Sequence, residues 1–293
     1  MNPIDIFISA VLALIMLGIG ATLKLSDFKR IFLRPKALSL GLGLQILFLP
    51  ALALVLLWFS DLSPEIKMGI FIISICPGGS TSNFISYIVN ADVALSISLT
   101  ALNSIVIVFS IPLLSSFALD YFMDIDHTYS ISLWGAVLQV FLIVLVPVCI
   151  GLWFNHKYYE LSRKIETSVK YINVVLLGSV FLIKFLAGED SGGTGINKAD
   201  IISILPMTLL LHATAILISF FLASRLLNKN IQATTIGIEV GLQNTTLAIL
   251  LAGTIIGSNE MTKPALVYAL FSFFTTITFA YLVRRQKGFG KRG

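Results

Sequence analysis

The sequence predicts an all-α membrane protein with nine transmembrane helices arranged as inverted repeats. Three observations carry that prediction. First, the 293 residues are 57% hydrophobic and only 12% charged, where a soluble domain carries about 25% charged residues. Second, the apolar residues fall into segments of the roughly 20 residues that a bilayer core requires. Third, the basic residues between those segments alternate in abundance, as the two faces of a membrane demand.

Nine spans are read in order: 4–23, 36–59, 66–89, 92–119, 130–154, 169–188, 200–225, 231–257 and 262–283. Short polar punctuation makes neighbours antiparallel, and Asn90, Ala91 and Asp92 form the tightest turn. Stretches 24–36, 157–170, 225–229 and 284–292 hold sixteen of the twenty Lys and Arg residues. The opposite side has Lys67, Lys184, Lys198 and Lys263, with an acidic cluster at Asp120, Asp124 and Asp126. The positive-inside rule therefore expects the C-terminus in the cytoplasm and, after nine crossings, the N-terminus outside. Asp5 replaces a basic n-region, which argues against a cleaved signal peptide, and a bacterial inner membrane is the simplest location. Basic residues that flank spans are topology signals and offer no nucleic-acid surface. Cys76 and Cys149 lie in apolar segments and are read as small buried hydrophobes.

Two spans are interrupted at mid-depth. Span three contains Cys76-Pro77-Gly78-Gly79-Ser80-Thr81-Ser82-Asn83, and span eight contains Glu239-Val240-Gly241-Leu242-Gln243-Asn244-Thr245-Thr246. Each is the middle helix of a three-helix unit, spans two to four and seven to nine, and the two units run in opposite directions. Interrupted helices in corresponding places of two halves mark the binding site of a secondary transporter. Irregular backbone is tolerated at that depth only where it is buried or lines a cavity.

Glu239 is the one carboxylate deep within a span. An acid at a helix centre costs about 2.5–3.5 kcal/mol on insertion scales, so it must face the bundle interior with a partner. No Lys or Arg lies at comparable depth, which leaves a mobile cation as its counter-ion. A hard cation takes oxygen ligands. Ser82, Asn83, Gln243 and Asn244 stand at the breaks, Ser96 and Thr100 share one face of span four that Asn103 and Ser104 continue, and Gln45 lies mid-way along span two. The competing reading is a proton-coupled exchanger or carrier with Glu239 as the proton site. A proton carrier has no need of this amide and hydroxyl set. His212 reads as a hydrogen-bonded core residue and Lys184 as a side chain that snorkels outward. An intramembrane enzyme would need a second reacting group facing Glu239 or a metal motif such as HExxH; the expectation is a non-enzyme with no organic cofactor.

The tracts CPGGSTSN from Cys76, DVALSISLT from Asp92, EVGLQNT from Glu239 and TLKLSDF from Thr22 together resemble the bile acid:sodium symporter family along essentially the whole chain. The resemblance implies a core domain with two crossed discontinuous helices and a panel domain, in the nine-span form that lacks the first helix of ten-span members. Residues 1–30 are then a panel helix, 31–127 the first core repeat (helices 2–4), 128–190 panel helices 5 and 6, and 191–293 the second core repeat (helices 7–9). It further implies two sodium ions as coupling ions. The first site comprises Ser82, Asn83, Ser96, Thr100 and Glu239. The second comprises Gln45, Glu239, Val240, Leu242 and Gln243, in part through main-chain carbonyls. The implied activity is sodium-coupled symport of an organic anion by alternating access. Its acid group would dock at the half-helix N-termini near Ser80, Thr81, Asn244 and Thr245. Where some bacterial relatives carry His-Asn in the last span, this chain has Thr275-Thr276, which leaves the substrate open between a bile-acid-like molecule and a small carboxylate.

Overall fold

The computed structural model describes residues 3–22, 35–123, 133–188 and 192–286. Lys24, Lys29, Arg30, Arg34, Asp124, Asp126, Lys287, Lys291 and Arg292, which enter the charge asymmetry, lie outside the described residues. So does most of the tract following Thr22. What is described is helical apart from turns and one isolated backbone bridge. The helices are α1 (Pro3–Thr22), α2 (Pro35–Trp58), α3 (Pro64–Ile75), α4 (Ser80–Ile88), α5 (Val93–Phe122) and α6 (133–157). They continue with α7 (Tyr159–Leu186), α8 (Lys198–Leu227), α9 (Asn230–Gly241), α10 (Thr245–Ile256) and α11 (Asn259–Gln286). Five of them (α2, α5, α6, α8 and α11) are long and apolar enough to cross a membrane, and α7 makes a sixth if its 40° bend is allowed within one span. The chain is an all-helical, multi-pass membrane protein.

Two helices carry π-type turns whose cause is legible. In α2 the π turn covers Leu44–Phe48, and in α6 it covers Phe141–Leu145. A proline follows each at the second position, Pro50 and Pro147. Proline offers no N–H and its ring presses on the carbonyl four residues back, so the ladder shifts register there. The π turn of α2 contains Gln45.

The buried polar breaks sit on the most enclosed helices. In α3 every residue from Met68 to Ile75 is buried, and in α9 every residue from Gln232 to Gly241. A helix buried on all sides belongs at the centre of its bundle. Around that centre α3 packs on α11 and α5, and α9 packs on α8. The helices α1, α6 and α7 pack chiefly on one another. Large apolar side chains such as Trp58, Phe59, Val175 and Ile202 point outward, where a bilayer would solvate them.

Close helix approach depends on small residues, because apolar lipid offers no hydrophobic drive for association. A Cβ on Gly20 would stand 2.2 Å from Val148 O, and one on Gly151 would stand 2.2 Å from Leu17 O. Both obstacles are backbone, so they cannot rotate away. Substituting either glycine with Ala is expected to destabilise the α1–α6 pair by about 1–3 kcal/mol. Thermal unfolding in detergent reads this directly, and an unchanged midpoint in both variants would contradict the packing.

Four local expectations need correction or refinement. Cys149 is exposed, and only Cys76 is buried. Val148 and Gly151 take the α1-facing side of α6, which turns Cys149 outward. Lys184 does not snorkel: it is 2% exposed, with Nζ 3.6 Å from where a Gly253 Cβ would stand. The missing side chain at Gly253 makes room for the lysine at α10. The helix α7 starts at Tyr159, ten residues before the apolar span, because its charged first turns contain good helix formers and Ser162 Oγ donates to Ala21 O at 2.8 Å. The turn at residue 90 is a left-handed cap, with Asn90 at φ 52° and Ala91 N–H donating to Ser86 O at 2.8 Å.

Candidate functional site

The two breaks meet. The helix α3 ends at Ile75, Cys76 turns extended (φ −74°, ψ 152°), and α4 restarts at Ser80 behind Gly79. Pro77 removes a donor, and Gly79 O accepts from both Ser82 N–H at 3.1 Å and Ser82 Oγ at 2.7 Å. The helix α9 ends at Gly241, Leu242 turns extended (φ −105°, ψ 102°), and α10 restarts at Thr245. Asn244 Oδ1 accepts from Leu247 N–H at 3.1 Å and caps that restart. Gly78 and Gln243 form an antiparallel bridge, and Asn244 N–H donates to Pro77 O at 2.8 Å. Each break thereby satisfies backbone groups of the other.

Glu239 lies beside this crossing, fully buried. Ser96 Oγ donates to its Oε2 at 2.8 Å, and Thr100 Oγ1 donates to its Oε1. Thr100 Oγ1 also stands 3.5 Å from Asn83 Oδ1, and Ser82, itself buried, lies within reach of the same carboxylate. On its remaining side the carboxylate leans on the other break: a Cβ on Gly78 would stand 2.5 Å from Glu239 Oε1. The sequence-derived residues Ser82, Asn83, Ser96, Thr100 and Glu239 are thus brought together.

The second group gathers at the C-terminal end of α9. Gln45 Nε2 donates to Glu239 O at 3.3 Å, and Gln243 Nε2 donates to Val240 O at 2.6 Å. The side-chain oxygens of both glutamines are buried with no hydrogen-bond partner among the described residues. A buried, unpaired acceptor costs about 1–3 kcal/mol. Two of them, on amides that reach the main-chain carbonyls of Glu239 and Val240, make an environment that a hard cation would relieve, since such ions are held by carboxylate, amide and carbonyl oxygens. The set fits sodium through neutral oxygens and one acid. No group of three His, Cys, Asp or Glu side chains that would suit a transition metal occurs among the described residues.

The residues assigned to an anion are placed less uniformly. Ser80 opens α4, its side chain outside the described residues, and Thr81 follows half-buried. Asn244 and Thr245 stand half-buried at the start of α10. Thr275 and Thr276, on α11, face His212: Thr275 Oγ1 lies 2.7 Å and Thr276 Oγ1 3.5 Å from its Nε2. His212 Nδ1 lies 2.9 Å from Gly241 O, and Tyr268 OH donates to that same carbonyl. A carbonyl only accepts, so the bond to Gly241 O requires a proton on Nδ1, which also lies 2.9 Å from Tyr268 OH. His212 and Tyr268 therefore clamp the last carbonyl of α9, one of the orphans that a helix end leaves. Sequence reasoning expected a hydrogen-bonded histidine but missed Tyr268. The only signal for it was a phenol in an apolar segment that needs a buried partner for its hydroxyl.

Fold and site together define a polytopic helical protein in which two helix breaks meet beside a buried carboxylate. Residues 9–191 match the Sodium Bile acid symporter family, and the chain belongs to that family. It is 29% identical over 258 residues to the probable sodium/metabolite cotransporter BASS1, chloroplastic, of Arabidopsis thaliana, covering 87% of this chain and 61% of that protein. The uncharacterized sodium-dependent transporter YocS of Bacillus subtilis (strain 168) is 26% identical over 249 residues, covering 85% of this chain and 74% of YocS. The human P3 protein is 26% identical over 249 residues, covering 85% of this chain and 50% of that protein. The chain spans about three fifths of the length of the plant relative BASS1.

Proposed function

We propose that this protein is a sodium-coupled symporter of an organic anion that works by alternating access. The observation that carries the reading is the buried Glu239 carboxylate, held by Ser96 and Thr100 against Gly78 where the broken helices cross. Two unpaired buried glutamine oxygens, on amides that reach the main-chain carbonyls of Glu239 and Val240, favour a cation over a proton as the coupling ion. The names of the relatives, a sodium/metabolite cotransporter and a sodium-dependent transporter, support the same ion.

In this reading one sodium binds among Ser82, Asn83, Ser96, Thr100 and Glu239. A second binds among Gln45, Gln243 and the main chain of Glu239, Val240 and Leu242. Both ions fasten α9 to its neighbours and fix the geometry of the two breaks. The N-terminal ends of α4 and α10 then present N–H groups and positive dipole ends to the anion's acid group. Ser80, Thr81, Asn244 and Thr245 line that place, with Thr275 and Thr276 behind it. Coupling is reciprocal: an ion that stabilises the anion-binding form is itself held more tightly once the anion is bound.

The moving parts would be a panel (residues 1–30 and 128–190) and a core of two inverted repeats (31–127 and 191–293). The mutual packing of α1, α6 and α7 supports that division. The topology would be nine spans with the C-terminus cytoplasmic, in a bacterial inner membrane. The substrate would be a bile-acid-like molecule or a small carboxylate, and the route requires no covalent step.

Thr100→Ala tests the first site. It removes the hydroxyl that joins Glu239 to Asn83, and the half-saturating sodium concentration should rise about tenfold, equivalent to ~1.4 kcal/mol. Thr100→Ser keeps the hydroxyl and should restore most of the affinity. A sodium dose curve for thermal stability that is unchanged in Thr100→Ala would remove Thr100 from the site.

A further inference from the structure

A third buried carboxamide oxygen is orphaned on α5. Asn103, on α5, is 1% exposed, and its Oδ1 has no hydrogen-bond partner among the described residues. It shares that condition with Gln45 Oε1 and Gln243 Oε1.

Helical geometry places the side chain. At about 100° per residue, Asn103 projects between Leu99 and Thr100, roughly 40° from the first and 60° from the second, one turn further along α5. Thr100 faces α9, since its hydroxyl donates to Glu239 Oε1. Leu99 faces α2, since its Cδ2 lies 2.7 Å from where a Gly41 Cβ would stand. Asn103 therefore projects into the corner between α9 and α2.

The depth also matches. The helices α5 and α9 run parallel, with Asp92 N–H donating to Thr235 Oγ1 at 2.8 Å and Thr100, further along α5, reaching Glu239. One turn beyond Thr100 is the level of the residues that follow Glu239, where α9 ends at Gly241. On α2, Gln45 lies one turn past Gly41 and its Nε2 reaches Glu239 O at 3.3 Å. Gln45, Asn103 and the end of α9 thus converge on one corner, which holds two of the three orphaned amide oxygens.

We propose that Asn103 Oδ1 is an additional ligand of the cation served by Gln45 and Gln243, completing a set of three carboxamide oxygens from α2, α5 and the second break. The inference rests on the sodium reading given above. A neutral oxygen adds coordination without adding charge, which suits a monovalent ion already facing one carboxylate. It also ties α5 to the second ion, so that one helix senses both sites: Ser96 and Thr100 at the first, Asn103 at the second.

The test uses the purified full chain in detergent and reads thermal stability against sodium chloride, with choline chloride holding ionic strength constant. Wild type, Glu239→Gln, Asn103→Leu and Asn103→Asp are compared. Asn103→Leu keeps the branching at Cγ and removes the oxygen, so its half-saturating sodium concentration should rise about tenfold. Asn103→Asp puts a second buried carboxylate near the ion. Its stability without sodium should fall, and the sodium-dependent rise in its midpoint should exceed that of wild type. The Asp variant decides the matter should the Leu variant not fold. A wild-type sodium midpoint in Asn103→Leu, or a rise in Asn103→Asp no larger than wild type, overturns the assignment while leaving the sodium reading intact. Absence of any sodium response in wild type overturns the sodium reading and this assignment with it.

Discussion

Replacing Glu239 with Gln is expected to abolish both the sodium-dependent stabilisation and sodium-driven uptake. The substitution keeps the shape of the side chain and one acceptor oxygen, so the bundle should still fold. It removes the only charge that Ser96 and Thr100 hold at the crossing. Breaking a buried charge pair costs about 3–5 kcal/mol, which for ion binding is more than a hundredfold. The sodium-free protein should be no less stable than wild type, because an uncompensated buried carboxylate has been replaced by a neutral amide. The measurement is the unfolding midpoint with and without sodium, beside uptake in vesicles carrying an inward sodium gradient. A Glu239→Gln protein with a wild-type sodium response would remove the central residue of the site.

The second large effect is expected at a glycine. Gly78→Ala would place a Cβ 2.5 Å from Glu239 Oε1 and 2.9 Å from its Cδ. The carboxylate cannot retreat without losing its bonds to Thr100 and Ser96, and the backbone there is fixed by the bridge to Gln243. Overpacking of this kind costs about 1–3 kcal/mol in stability, and sodium binding should be lost. Gly79→Ala is the control, because its nearest obstacle is Asn244 Cβ at 3.9 Å and its backbone is extended (φ −126°, ψ −176°). Two adjacent glycines in one motif should therefore behave oppositely. Equal sodium responses in the two alanine variants would contradict the contact between Gly78 and Glu239.

The order of these effects reflects what was legible in the sequence. Apolar segments mark the helices well, because exclusion of water forces backbone bonds inside each segment. The two polar breaks announced themselves by composition, as did Glu239, whose presence at mid-span has a large cost without partners. Ser96 and Thr100 were legible from their spacing of four, which keeps both on one helical face.

What lay beyond the sequence concerns contacts between breaks and between distant helices. Nothing in Pro77-Gly78-Gly79 tells which glycine carries the carboxylate of another helix. The clamp of His212 and Tyr268 on Gly241 O joins three helices, and no local pattern reports such a meeting. Lys184 reads as a snorkelling side chain because it lies near the end of an apolar run. Its burial depends on the space left by Gly253 on a helix far along the chain. The early start of α7 escaped for a different reason: hydropathy finds the membrane-embedded part of a helix, and the charged turns that extend it carry no such signal.

The most direct test of a cation site at the crossing is equilibrium binding of radioactive sodium to the purified protein, with competition by unlabelled sodium and by potassium. Saturable binding that sodium displaces and potassium does not, absent in Glu239→Gln, is the result expected here. No saturable sodium binding in wild type, together with proton uptake on the same protein that depends on Glu239, would contradict the sodium site and assign the carboxylate to proton coupling.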